Sequence, residues 1–168
     1  MFQPNLLKDR AILITGGGTG LGRSMAIHFA KLGARIFVIG RRPEPLQETC
    51  DEIHREGGAA AFTTCDVRDY AAVELALRTA ETQFGEIDTL VNNAAGNFMA
   101  RTEKLSPNAF NAVVGIVLNG TFHCTQAFAR QRIAKKLGGN VLNITTPMLP
   151  QIPVRAMLCL PPARKRAF

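Results

Sequence analysis

Short apolar runs alternate along the chain with longer segments whose apolar positions recur at helical spacing. The runs that predict strands are 11–15, 36–39, 60–64, the pair Leu90–Val91 at the end of a fourth strand, and 141–144. Helical spacing follows the first four of them, over 21–32, 44–56, 73–84 and from Ser106–Pro107 onward. The runs lack polar alternation, which is typical of strands that are covered on both faces of a parallel sheet. The pattern therefore predicts an α/β fold built from right-handed crossovers.

Two of the predicted helices have a well-defined apolar stripe, which we expect to face the sheet. In the first helix the stripe consists of Leu21, Met25, Phe29 and Leu32. The last helix is the longest, at 107–134, and begins with Ser106 as N-cap and proline at its first position. Its stripe consists of Phe110, Val113, Val114, Val117, Thr121 and Cys124.

The last 22 residues differ from the rest of the chain in composition and lack its periodic pattern. They hold five of the nine prolines, no glycine and no acidic residue, and no period of 3.6 or 2 survives in them. They carry a net charge of +4, whereas the 16 basic and 13 acidic residues of 1–146 leave a net charge of only +3. We therefore predict an ordered domain over 1–146 and an irregular basic tail over 147–168. A basic tail is able to bind anions, but the nearly balanced body argues against a nucleic-acid partner.

Composition narrows the class of protein further. With 168 residues, 46% hydrophobic and 20% charged, the chain is expected to form one globular domain. It has no run of 18 apolar residues and no signal-peptide pattern at its start, so we expect neither a membrane span nor export, and hence a cytoplasmic location. The four cysteines form no C-x-x-C pair, so the sequence predicts neither a metal site nor disulfides.

A glycine-rich turn joins the first predicted strand to the first helix. This is the place where an open α/β sheet binds a phosphate, because glycines let the backbone approach it and the helix N-terminus supplies free N–H groups. A merely flexible turn is the alternative. The predicted cofactor-binding residues here are Gly16, Gly17, Gly18, Thr19, Gly20, Leu21 and Gly22.

The spacing T-G-x-x-x-G-x-G of this turn resembles that of the short-chain dehydrogenase/reductase family. Three further motifs extend the resemblance over 8–146: Asp66–Val67, Asn92–Gly96 and Asn143–Thr146. The resemblance implies a Rossmann-type doubly wound parallel sheet of order 3-2-1-4-5, truncated after the fifth strand, and an NAD(P)-dependent oxidoreductase. It also places Asp66 and Val67 against the adenine; for Asp66, a turn or capping role is the alternative. The residues that it places along the nucleotide are Asn93, Ala94, Ala95 and Gly96.

The residues after the second strand select the cofactor. NAD-binding folds usually carry an acid there, which accepts hydrogen bonds from the ribose hydroxyls. This chain has Arg41 and Arg42 instead. Because guanidinium groups clamp a 2′-phosphate, we predict NADP(H) over NAD. A solvated pair of loop arginines is the alternative.

Within the family, three segments resemble the 2,4-dienoyl-CoA reductases, which use NADPH to reduce unsaturated fatty acyl-CoA thioesters. They are 93–98, 105–110 and 116–121. The resemblance implies that Asn97 hydrogen-bonds the thioester carbonyl, where donors stabilise the charge that hydride addition produces. It also implies the substrate contacts Arg68, Phe98 and Ser106. The alternative for Arg68 is a solvated residue at a helix start, that for Phe98 is a core position, and that for Ser106 is a helix cap. We prefer Asn97 to Asn119 as the catalytic asparagine, because Val117 occupies the spacing that a helix-borne asparagine requires.

The family's catalytic tyrosine and lysine have no counterpart here. The one tyrosine, Tyr70, is followed four residues later by Glu74 and reads as a surface or packing residue. Lys165 is the only lysine of the tail. We therefore expect no catalysis by this chain, and we do not expect the homotetramer that is usual in the family. The alternatives are a Rossmann fragment that binds a nucleotide without catalysis, and a remnant without function.

The tail has a candidate origin in its coding sequence. Codons can be chosen for 162–168 such that a frame two bases later reads Arg-Ala-Lys-Ala-Gly-Val, which matches the family's lysine segment. We therefore predict a frameshift close after Thr146, in the gene or in its sequencing. A divergent C-terminus and a splice variant are the alternatives.

Overall fold

One parallel sheet of five strands organises the chain, in the order β3-β2-β1-β4-β5. The computed structural model describes residue 3, residues 5–97 and residues 100–145. The strands are β1 (Ala11–Thr15), β2 (Arg35–Gly40), β3 (Ala59–Thr64), β4 (Thr89–Asn92) and β5 (Asn140–Asn143). The predicted α/β fold and strand order are confirmed. The predicted tail 147–168 lies outside the described residues.

Helices cover both faces of this sheet, as the lack of polar alternation in its strands requires. They are α1 (Gly20–Lys31), α2 (Pro43–Arg55), α3 (Tyr70–Phe84), α4 (Pro107–Val114) and α5 (Gly120–Ala134). A π turn over Gly115–Asn119 joins α4 to α5, and a short 3₁₀ turn over Thr102–Lys104 precedes α4.

Alternate residues of the central strands supply two separate buried clusters. Ile12 and Ile14 of β1 pack with α1 and α2 on one face. Leu13, between them, packs with Phe37 and with α3 and α5 on the other face. All five residues of β1 are buried. The carboxyl end of β1, where the glycine turn begins, is therefore anchored from both sides.

Helix α1 uses only part of the face that the sequence predicts. Leu21 is 67% exposed, while the buried residues of the helix are Gly22, Ala26, Ile27 and Ala30. Met25 and Phe29 of the predicted stripe are half-buried against the same cluster. Small side chains on the inner face let α1 lie close to the sheet. Leu21 lies in the first turn of the helix, at the rim of a cleft that is described below.

The long helical stretch begins as predicted, because Ser106 Oγ caps α4 and accepts a hydrogen bond from Ala109 N at 3.2 Å. Its apolar stripe is not continuous, however. Cys124 is buried with Ala127 and Phe128, whereas Phe110 and Val117 are 48% and 44% exposed. The π turn adds a residue to one turn of the helix and so breaks the 3.6-residue register between its two halves.

By length and composition alone, the stretch Pro107–Ala134 is long and apolar enough to cross a membrane, and an 18-residue window in it has a mean hydropathy of 1.2. The expectation of no membrane span rested on the absence of an uninterrupted run of 18 apolar residues; polar residues do interrupt this stretch, and the expectation stays a prediction. The criterion is weak evidence, since a core helix of an α/β protein also meets it. Here α5 packs on α3 and β4, as a helix of the α/β layer does.

The exposed apolar residues of the long stretch lead to a prediction about association. Leu118 and Phe122 are 65% and 58% exposed, and all four residues of β5 are exposed. Apolar surface that stays exposed to water lacks roughly 25 cal/mol per Å² of the stabilisation that burial would give. An uncovered edge strand also promotes association, because its backbone N–H and C=O groups are unpaired. We expect the chain to self-associate into mixed sizes and to melt without a sharp transition, as measured by light scattering and calorimetry.

The change Phe122→Glu combined with Leu118→Glu should reduce this association. Leu75→Glu, at an equally exposed leucine on α3, is the control and should not reduce it. A defined tetramer with a sharp, reversible transition in the unaltered chain would contradict the prediction.

Candidate functional site

A cleft of about 370 Å³ opens at the carboxyl ends of the strands. It lies beside β1 and β4, where the strand order reverses direction, which is the ligand-binding position of doubly wound sheets. Eleven of the predicted cofactor-binding residues line it: Gly16, Gly18, Thr19, Leu21, Arg41, Arg42, Asp66, Val67, Asn93, Ala94 and Ala95. The lining residues that the sequence analysis missed are Gly40, Pro45, Leu46, Cys65 and Ile116.

Two glycines of the turn are required by packing rather than by direct access to the cleft. A Cβ at Gly17 would collide with the side chain of Val38. A Cβ at Gly22 would collide with Gly16 O and would lie 2.6 Å from Asn93 Nδ2. The other glycines outside the lining, Gly20 and Gly96, differ: Gly20 has a φ of +55°, and Gly96 leaves room for Ile116. These contacts bring the turn close to both α1 and the end of β4.

Thr15 and Asn93 join the turn to the end of β4. The buried Thr15 Oγ1 accepts hydrogen bonds from Asn93 N at 2.9 Å and from Ala94 N at 2.8 Å. In return, Asn93 Nδ2 donates to Thr15 O at 3.1 Å and to Gly16 O at 3.3 Å. The side-chain amide of Asn93 is thus used to hold the turn. Thr15 belongs to the predicted motif T-G-x-x-x-G-x-G, but the motif assigns no role to its hydroxyl.

Asp66 and Arg68 form an ion pair at the cleft wall. Arg68 Nε lies 3.0 Å from both carboxylate oxygens, Arg68 Nη2 lies 2.5 Å from Oδ2, and Arg68 N donates to Oδ1 at 3.0 Å. The side-chain hydrogen bond from Arg68 is the main reason that the pKa of Asp66 is lowered. Asp66 therefore closes a local turn and also lines the cleft. The charge of Arg68, a predicted substrate contact, is directed at Asp66.

Arg41 and Arg42 are exposed at the mouth of the cleft, after β2. Within the described part of the chain, neither guanidinium has a carboxylate within 4.0 Å. The cleft therefore presents two positive charges beside the glycine turn that have no direct ion-pair partner among the described residues, although Arg41 is close enough to Asp66 to help lower its pKa.

The predicted substrate residues that the structure describes lie outside the cleft lining. Asn97 is exposed just beyond Ala95 and Gly96, and Ser106 caps α4. The alternative Asn119 is exposed at the end of the π turn. Phe98 lies outside the described residues.

Tyr70 has a packing role, as the sequence analysis expected. Its ring makes an edge contact with His123, with centroids 5.7 Å apart, and its hydroxyl accepts a hydrogen bond from Arg130 at 3.3 Å. Since it is the one tyrosine of the sequence, no tyrosine lines this cleft.

Three thiols are buried in the described residues: Cys50, Cys65 and Cys124. Burial raises the pKa of Cys50 and Cys65 from 9.0 to about 11, and that of Cys124 to about 12. These thiols are protonated at neutral pH and behave as small apolar side chains.

The hydroxyl of Thr15 can be tested directly. In Thr15→Val the shape is kept, but the N–H groups of Asn93 and Ala94 lose their acceptor. Each unsatisfied buried donor costs about 1–3 kcal/mol, so we expect a clear drop in the free energy of unfolding by urea denaturation. Thr15→Ser keeps the hydroxyl and is the control; equal losses in both variants would contradict this role.

The buried thiols predict a fall in stability at alkaline pH. Their pKa is higher in the folded than in the unfolded chain, so their contribution is present below pH 9 and is lost as the pH rises through 9 to about 11. A two-unit shift corresponds to roughly 3 kcal/mol for each thiol. Cys50→Ala should flatten the decline of unfolding free energy between pH 8.5 and 10.5, and an unchanged slope would contradict the assignment.

Residues 10–150 match the family model described as short chain dehydrogenase. A probable 2,4-dienoyl-CoA reductase of Bacillus subtilis (strain 168) is 46% identical over 138 residues, which cover 82% of this chain and 54% of that protein. A peroxisomal 2,4-dienoyl-CoA reductase of Arabidopsis thaliana is 35% identical over 151 residues, covering 86% of this chain and 51% of that protein. The chain thus spans about half the length of these curated relatives.

Solved structures agree with this relationship. A short chain dehydrogenase from Bacillus anthracis superposes with a TM-score of 0.78 at 43% identity, covering 82% of this chain and 57% of that one. An actinorhodin polyketide ketoreductase crystallised with NADPH superposes with a TM-score of 0.77 at 30% identity, covering 82% and 53%. By its matched residues, its strand order and its glycine turn, the chain belongs to the short chain dehydrogenase family of oxidoreductases.

Proposed function

We propose that this chain is the NADPH-binding part of a 2,4-dienoyl-CoA-reductase-type enzyme, and that by itself it binds the cofactor without turning over substrate. The observation that carries the proposal is the pair of arginines beside the glycine turn, Arg41 and Arg42, neither of which forms a direct ion pair within the described part of the chain. A nucleotide-binding cleft with this charge fits a dinucleotide that carries an additional phosphate.

The start of α1 fits the pyrophosphate of such a cofactor. Thr19, its N-cap, makes no side-chain capping bond, and the first turn of the helix has no acidic residue. The backbone N–H groups of that turn therefore keep their capacity for an anion, and the helix dipole favours one there. Thr19 and Leu21 line the cleft, so this helix end borders the space where the anion would lie.

Two features favour NADPH over NADH. Arg41 and Arg42 would hold the 2′-phosphate by charge-assisted hydrogen bonds. The nearest acid that lines the cleft, Asp66, has its charge compensated by Arg68, which limits its repulsion of a phosphate. A solved neighbour that was crystallised with NADPH adds support from the family.

The proposed substrate is an unsaturated fatty acyl-CoA, on the similarity to 2,4-dienoyl-CoA reductases. Bound NADPH would supply the hydride, and the amide of Asn97 would donate to the thioester oxygen as negative charge develops there. Arg68 and Ser106 each have a competing structural partner, Asp66 and the backbone of α4. Their substrate contacts, and that of Phe98, remain predictions.

The proposed lack of turnover rests on the general acid. The one tyrosine packs against His123, away from the cleft, and the only lysine after residue 136 is Lys165. We also propose that 147–168 are read out of frame; the match to the family ends at residue 150, four residues after Thr146. Resequencing of codons 144–170 tests this, and an intact frame that encodes this tail would refute it. The cytoplasmic location stays a prediction, and several relatives are named as peroxisomal.

Cofactor preference tests the role of the two arginines. We expect the chain to bind NADPH more tightly than NADH, by roughly 10- to 100-fold for a charge-assisted pair worth about 1–3 kcal/mol. Arg41→Asp should abolish the difference in a fluorescence titration. Arg78→Asp, an exposed site on α3 outside the cleft lining, makes the same change of charge and should preserve it. Equal affinities in the unaltered chain would contradict the assignment.

Turnover is the second test. General acid catalysis contributes about 10²–10⁴-fold, so we expect no measurable oxidation of NADPH with 2,4-dienoyl-CoA, followed at 340 nm. A version with the reading frame restored after Thr146 should oxidise NADPH. Robust turnover by the 168-residue chain would contradict the proposal.

A further inference from the structure

The wall of the cleft at Asp66–Arg68 rests on the long helical stretch behind it. The side chain of Val67 fills the space beside Gly120, where an added Cβ would lie 2.5 Å from Val67 Cγ2. The methylene groups of Arg68 lie against Gly115, at 3.4 Å from the position of a Cβ there. Gly120 thus lets the wall approach the helix closely, whereas a Cβ at Gly115 would make only an ordinary van der Waals contact.

One polar side chain crosses this contact. His123 Nδ1 of α5 lies 2.9 Å from Val67 O. A carbonyl oxygen only accepts hydrogen bonds, so Nδ1 carries the proton and donates it. The imidazole is half-buried and is held from the side by an edge contact with Tyr70. It is therefore a fixed donor, aimed at the backbone of a residue that lines the cleft.

We propose that His123 is a positioning residue for the adenine side of the nucleotide site. Its hydrogen bond fixes the peptide unit between Val67 and Arg68. That unit belongs to Val67, a residue that lines the cleft, and it lies in the course of the chain through the Asp66–Arg68 ion pair. Without His123, the carbonyl oxygen of Val67 would lose this hydrogen bond, and the peptide unit between Val67 and Arg68 would be free to rotate. His123 itself does not line the cleft and acts only through Val67.

This inference rests on the proposed function and makes a more specific claim about it. The loss of His123 should weaken binding of the adenosine half of the cofactor and leave the nicotinamide half unaffected. A purely structural role would lower stability without distinguishing the two halves.

The test is titration of the 168-residue chain with two probes, adenosine 2′,5′-bisphosphate and reduced nicotinamide mononucleotide, beside a thermal melt of each variant. We expect His123→Ala to weaken the binding of adenosine 2′,5′-bisphosphate by about 2- to 12-fold, the range for one neutral hydrogen bond. His123→Asn, whose amide nitrogen replaces Nδ1 as donor, should recover most of the affinity. His28→Ala removes a similar bond, from Nδ1 to Ser24 O at 2.8 Å on the exposed side of α1, and should change neither probe.

Each other outcome is decisive. Unchanged affinity in His123→Ala overturns the inference and leaves the proposed function intact. The inference is also overturned if His123→Asn binds as weakly as His123→Ala while melting like the unaltered chain, or if both probes weaken equally. If the unaltered chain binds neither NADPH nor adenosine 2′,5′-bisphosphate, the proposed function itself is refuted, and the inference with it.

Discussion

The close approach of the glycine turn to the end of β4 is the constraint on which the candidate site depends. Thr15 Oγ1 accepts from two successive backbone N–H groups, and Asn93 Nδ2 returns to two carbonyls of the turn. The contact leaves no room for a side chain at Gly22. Because β1 is buried on both faces, the turn starts from a fixed point. The cleft is therefore shaped by the sheet before any ligand enters it.

The second wall of the cleft, at Asp66–Arg68, is held by packing against a helix and not by hydrogen bonds between two loops. There the long helical stretch supports Asp66–Arg68 from behind, through glycine contacts at Gly115 and Gly120 and one imidazole donor. The same stretch leaves Leu118 and Phe122 exposed on its other side. One element thus both positions the nucleotide site and accounts for the poor solubility that we expect. The charge of the site follows from local pairing: Asp66 is paired directly with Arg68, whereas Arg41 and Arg42 have no carboxylate within 4.0 Å among the residues that the structure describes.

The parts of the molecule that local sequence dictates could be predicted. Short apolar runs defined the strands, and the glycine spacing located the cleft, because both signals come from residues that are close together in the sequence. Features that arise between distant segments could not be predicted. The π turn, which the sequence pattern did not predict, interrupts the apolar stripe of the long helical stretch, so that Phe110 and Val117 are exposed. In α1 the buried residues are mostly small, and Leu21 of the predicted stripe is exposed. The roles of Thr15 and His123 depend on partners 78 and 56 residues away, and no local pattern marks such partners.

The central claim is that the glycine turn, the two arginines and the Asp66–Val67 wall form one preorganised nucleotide site. Amide hydrogen exchange, measured on the 168-residue chain with and without NADPH, tests it most directly. The account predicts slower exchange in 16–22, 41–42, 65–68 and 93–96 when NADPH is present, with little change in the outer turns of α3. Protection that is absent from these segments, or that is confined to the exposed face of 110–122, would contradict the account.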